Sequence, residues 1–143
     1  VASQLLPPRI ARWPGRSDGF LRDRATGSTT RVTESSNGAQ GNGDSAATDI
    51  SPDGGFIALY SQSTNLVPHD TNGVEEAFVY NAAMATIRRV SLSSSGRQAN
   101  ANSGPCGISD QGRYVAFNSG ATNLVRDDTN NAIDMFRTGP LAA

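Results

Sequence analysis

Two loops of this 143-residue chain carry oxygen-bearing side chains at matched spacing. One runs Asp70-Thr71-Asn72 and reaches Glu76; the other runs Asp128-Thr129-Asn130 and reaches Asp134. Carboxylate, amide and carboxylate at offsets 0, 2 and 6 are hard oxygen ligands of the sort Ca²⁺ takes. Asp70, Asn72, Glu76, Asp128, Asn130 and Asp134 are therefore the candidate metal ligands, and Ca²⁺ is the one candidate cofactor. The set falls short of a full EF-hand loop, which needs more ligands and a terminal Glu. The same residue types also build Asx turns, in which Asp and Asn side chains bond their own backbone, and that is their commoner use.

Nucleophilic chemistry has little to work with. His69 is the single histidine, and its counterpart in the second loop is Asp127. Cys106 is the single cysteine, so an internal disulfide is excluded; it reads as a small buried residue rather than a reactive thiol. There is no G-x-S-x-G elbow, no Cys/His metal spacing and no phosphate-binding loop. No catalytic residue is assigned.

The two loops match because the chain repeats itself. Residues 20–77 and 78–135 align without a gap, at a constant spacing of 58. Arg31-Val32 matches Arg89-Val90, Gln40 matches Gln98, and Asn42 matches Asn100. Thr64-Asn65-Leu66-Val67 matches Thr122-Asn123-Leu124-Val125. A fixed period of this length marks a repeat architecture. The organisation reads as an N-terminal arm or tail (1–16), repeat 1 (17–77), repeat 2 (78–135), and the start of a further strand with a tail (136–143). The arm holds Leu5, Leu6, Ile10 and Trp13, which could pack on a neighbour; its prolines argue against a long helix.

Each repeat reads as four short strands. The expected spans are 19–23, 29–34, 46–50 and 55–61, then 77–81, 86–92, 104–108 and 113–119, with a third copy of the first strand at 135–137. Long Ser/Asn/Gly loops separate them, and no helical periodicity appears. In Ser51-Pro52-Asp53-Gly54, Pro52 presets φ and Gly54 closes a tight turn. The following strand is apolar on both faces, with Phe56, Ala58 and Tyr60 on one and Ile57 and Leu59 on the other. A half-solvated sheet would alternate polar with apolar, so protein is expected above and below.

The segments ISPDGGFIALYS and ISDQGRYVAFNS, each followed by TNLV and then DTN, resemble the TolB-type (WD-like) β-propeller repeat. Gln111 departs from the pattern in place of the turn Asp, and Leu59 in place of Phe. The resemblance spans residues 19–137 and implies an all-β fold of four-stranded blades, two per chain. Closed propellers have typically 4–8 blades. The ring is thus expected to be completed by homo-oligomerisation, with a homotrimer giving six blades and the chain itself as the principal partner. The resemblance further implies a bacterial, periplasmic or secreted protein, although the N-terminus shows no signal-peptide core.

Composition narrows the classes further. The net charge of −1 leaves no electrostatic footprint for nucleic acid. No apolar run approaches the length of a membrane span. The expected function is a non-catalytic scaffold or binding module for a protein or glycan ligand. The alternative is a glycan-directed hydrolase with its site in the central channel of the assembled ring.

Overall fold

A computed structural model describes residues 16–141, except the side chain of Cys106. The expected N-terminal arm and the reading of Cys106 fall outside what is described. The described chain is all-β. Its strands are β1 (Phe20–Arg22), β2 (Thr29–Arg31), β3 (Ser45–Ile50), β4 (Phe56–Ser61), β5 (Glu76–Asn81), β6 (Thr86–Arg89), β7 (Ser103–Ile108), β8 (Val115–Ser119) and β9 (Asp134–Thr138). The only helical turn among the described residues is a 3-10 turn over Asp110–Gly112.

Four strands per repeat are present and pair two by two within it, but the four do not form one sheet. The sheets are β1-β2, β3-β4-β5-β6 and β7-β8-β9, all antiparallel. The one complete four-stranded sheet therefore takes two strands from each repeat. This corrects the expectation of two four-stranded units coinciding with the two repeats. The physical reason lies in the connections. The 62–75 loop brings β5 back beside β4, with Leu59 opposite Phe78 and Ile57 opposite Tyr80. The 32–44 segment instead leaves β2 and crosses to the next sheet. It is anchored there by Ser45 N donating to Ser17 O at 2.9 Å and Ser17 N donating to Asp44 Oδ1 at 2.7 Å.

The double-sided apolar strand is buried on both faces. Ile57 and Leu59 of β4 join Phe78 and Tyr80 of β5 in a core shared with Val32, Leu66 and Ile87. Ala77 and Val79 point the other way, into a second core with Val90, Val115, Phe117 and Leu124. The central sheet is thus sandwiched between its two smaller neighbours. Phe78 and Phe117 are almost fully enclosed, and burying such a side chain contributes about 1.5–3 kcal/mol. Phe117 also stacks on Phe136 of β9, centroids 5.4 Å apart.

The tight turns serve this packing. Ser51 Oγ accepts from Phe56 N at 3.0 Å, and Ser109 Oγ accepts from Tyr114 N at 2.9 Å, so both copies use serine to close the turn. Asp53 accepts from Ser51 Oγ and from Gly55 N, and these bonds hold its carboxyl below the usual range. Gly112 has φ of +64°, and a Cβ there would stand 2.2 Å from the Phe56 ring. Glycine is required at that point for both reasons: the turn is left-handed and it presses on the preceding repeat. Among the described residues, no helix is long and apolar enough to cross a membrane.

Candidate functional site

The first candidate loop descends between repeat 1 and repeat 2. Its residues Asp70 and Asn72 lie close to Glu76 at the start of β5. Asn72 Nδ2 donates to Glu76 Oε1 at 2.7 Å and to Ala99 O at 2.9 Å. What the spacing did not reveal is the group they surround. Arg89, at the end of β6, places Nη2 3.1 Å from Asp70 Oδ2 and Nε 2.7 Å from Glu76 Oε2. All three side chains are buried: Arg89 is 7% exposed, Asp70 3% and Glu76 0%. A guanidinium occupies the centre of the oxygen set.

Two carboxylates around one cation in a dry wall form an asymmetric system. Burial pushes the Glu76 carboxyl up to about 7, with the neighbouring Asp70 charge acting in the same direction; the Asn72 hydrogen bond and Arg89 pull against them. The ion pairs are close without being aligned hydrogen bonds, since Arg89 Nε and Nη2 and Glu76 Oε2 have no hydrogen-bond partner. Asp70 Oδ1 and Asn72 Oδ1 are likewise buried and accept none. Breaking such a buried pair by removing one partner costs about 3–5 kcal/mol, because the other charge is left uncompensated.

The loop is tied to repeat 2 by a second device. Gln98 Oε1 accepts from Thr71 N at 3.2 Å, and Gln98 Nε2 donates to His69 O. His69 itself is exposed, and it adopts φ of 59° so that its carbonyl can face Gln98. It contributes main chain to this clasp.

The second candidate loop has the same local form without the cation. Asp127 repeats the left-handed φ of His69 at 61°, and Asn131 repeats that of Gly73. Asn130 Nδ2 bonds Asp134 at 3.1 Å, as Asn72 bonds Glu76. Asp128, Asn130 and Asp134 line an open hollow of about 360 Å³ together with Arg126 and Phe136. Among the described residues, no group of three His, Cys, Asp or Glu side chains is placed to hold a metal ion.

The repeated Asn and Gln residues of the long loops are engaged inside the protein. Asn42 Nδ2 donates to Thr64 Oγ1 at 2.9 Å, Thr64 N donates to Asn42 Oδ1 at 2.8 Å, and Asn42 N donates to Asn65 Oδ1 at 2.9 Å. Asn100, Thr122 and Asn123 repeat all three bonds at 3.0, 2.9 and 3.0 Å. The TNLV segment is thus a latch: its Thr and Asn fasten one loop to the other, and its Leu enters a core. Sequence reasoning missed Arg89. The available signal was the pairing of Arg31-Val32 with Arg89-Val90, which repeats an arginine at the end of a short strand, ahead of a Val.

No protein-family model matches the chain, and no curated protein matches it significantly.

Proposed function

We propose that the chain is a non-catalytic scaffold or binding module of the propeller type, which completes itself by self-association and offers the assembled surface to a protein or glycan. One observation carries this reading: among the described residues, sheets of two, four and three strands pack in series, and the central one is enclosed on both faces. Such an array has an unfinished sheet at each end, and unfinished edges and faces favour association. A homotrimer would supply the strands for six blades. The sequence resemblance to TolB-type repeats supports the same ring, and with it a periplasmic or secreted setting.

The chemistry of the buried charges supports a structural role for them. A carboxyl titrating near neutrality is a common mark of an active site. Glu76, however, has no exposed surface and is spanned by Arg89 and Asn72. Its raised pKa reflects enclosure in the wall between repeats, where no solute reaches it. The test is a glycan and peptide array run beside a chromogenic glycoside panel. Retention of a ligand without turnover is the expected outcome; hydrolysis of any glycoside would overturn the non-catalytic reading.

A further inference from the structure

The clasp between repeat 1 and repeat 2 has two sides. The giving side is the loop carrying His69, Asp70, Thr71 and Asn72; the receiving side is Arg89 and Gln98. Each side occurs once more in the chain, and each of these has other partners: Arg31 and Gln40 engage Asp18, and Asn130 engages Asp134. Asp127, Asp128, Thr129 and Asn130 repeat the giving side after β8. Arg31 and Gln40 repeat the receiving side after β1.

Both spare halves are unsatisfied in the way their internal equivalents are satisfied. Arg31 lies 3.7 Å from Asp18 and 3.4 Å from Glu34 and remains 29% exposed, against 7% for Arg89. Gln40 spends its amide on Asp18 at 2.8 Å, in place of the loop that Gln98 holds. Asp128 stands in an open hollow, whereas Asp70 is buried against Arg89. Phe20 is only half-buried, while its internal equivalent Phe78 is fully enclosed beside Leu59. The charges of the two halves are complementary, and the left-handed residue that shapes the giving loop is already in place.

From this we infer that a second copy of the chain docks head to tail, with Asp128, Thr129 and Asn130 of one copy clasping Arg31 and Gln40 of the next. The inference rests on the self-association reading and supplies its contacts. In the joint, β1 of the incoming copy takes the position β9 holds in the isolated chain. In both segments an acid stands two residues before a Phe: Asp18 just ahead of Phe20 of β1, and Asp134 ahead of Phe136 in β9. Strands β7 and β8 then gain β1 and β2 of the neighbour, giving a four-stranded sheet like β3-β4-β5-β6. β9 is the internal competitor for that place. Head-to-tail contacts of this kind close into a ring when the rotation per subunit permits.

The experiment is light scattering across a concentration series on the full chain, the Asp128→Ala variant and the Phe136→Ser variant, each with a thermal melt. The full chain should reach about three times its 14.9 kDa mass. Asp128→Ala should melt as the parent does at low concentration, yet associate at least about tenfold more weakly, since a desolvated charge pair is lost from the joint. Phe136→Ser, which loosens β9, should associate more tightly than the parent. A full chain that stays monomeric at every concentration would sink the self-association reading and this inference with it. A full chain that associates while Asp128→Ala associates equally well would overturn the inference alone and point to another surface. Weaker association by Phe136→Ser would contradict the exchange of β9 for β1.

Discussion

The Asp-Thr-Asn loop occurs twice, and its two settings differ. Around residues 70–76 it closes on a buried arginine; around residues 128–134 it lines an open hollow. The local form is the same in both, from the left-handed residue that leads in to the Asn-to-carboxylate bond that closes it. What differs is the neighbour. Arg89 arrives from the strand paired with β5, and the described chain brings no such strand to β9. A motif of oxygen ligands thus becomes half of an ion-pair clasp whenever the next repeat is present. The lesson concerns repeats in general: each unit carries contacts meant for its neighbour, and these are legible only where the neighbour is also in view.

The largest expected effect breaks the closed setting. Arg89→Ala leaves Asp70 and Glu76 buried without a counter-charge, and should lower the unfolding free energy by about 3–5 kcal/mol in a urea titration. The matching change in the open setting, Asp128→Ala, should stay within about 0.5 kcal/mol at low concentration, because the isolated chain gives that carboxylate no buried partner. Equal losses in the two variants would dissolve the contrast.

Acidity sharpens the same comparison. Glu76 has a pKa raised from the ordinary 4.5 to about 7, so the folded protein holds a proton that the unfolded chain releases in that window. Stability should therefore be highest below pH 4.5 as far as this group is concerned, and should fall as the pH rises toward 7. The fall is on the order of 1–3 kcal/mol. Glu76→Gln should flatten that slope; an unchanged slope would assign it elsewhere.

A smaller effect concerns the amide latches, which are alike in both repeats. Asn42→Ala and Asn100→Ala each remove two matched side-chain bonds to a Thr, and should each cost about 1–2 kcal/mol by chemical denaturation. A large difference between them would show that the two loops are not equivalent after all. Smallest of all is calcium. With Arg89 at the centre of the first oxygen set, millimolar Ca²⁺ should leave the melting temperature unchanged, and a clear rise would revive the cation reading for the second loop.

Much of the architecture is legible before any coordinates. The two-faced apolar pattern of 56–60 required cover on both sides, and the structure provides it with two separate cores. Four strands per repeat follow from the spacing of turn residues. The phase of the sheets does not follow, because a period fixes how often a unit recurs and says nothing about where one sheet ends. Whether β4 pairs forward with β5 or back toward β1 depends on the 62–75 connection, whose Asn, Thr and Asp residues read simply as loop. The oxygen cluster was legible for the same reason that Arg89 was not. Asp70, Asn72 and Glu76 are close in sequence, while the arginine arrives across a strand pairing that brings Phe78 beside Arg89. In the same way, Asn42 and Asn100 look like solvated loop residues until the Thr and Asn they fasten are seen more than twenty residues away.

The central claim is that Asp70 and Arg89 act together as the bond between successive repeats. A double-mutant cycle on Asp70→Ala and Arg89→Ala, read by urea unfolding, tests it most directly. A coupling energy of about 1 kcal/mol or more is expected, with the double variant losing clearly less than the sum of the singles. Additive losses would mean that the guanidinium and the carboxylate are merely neighbours, and that the loop is held in place by something else.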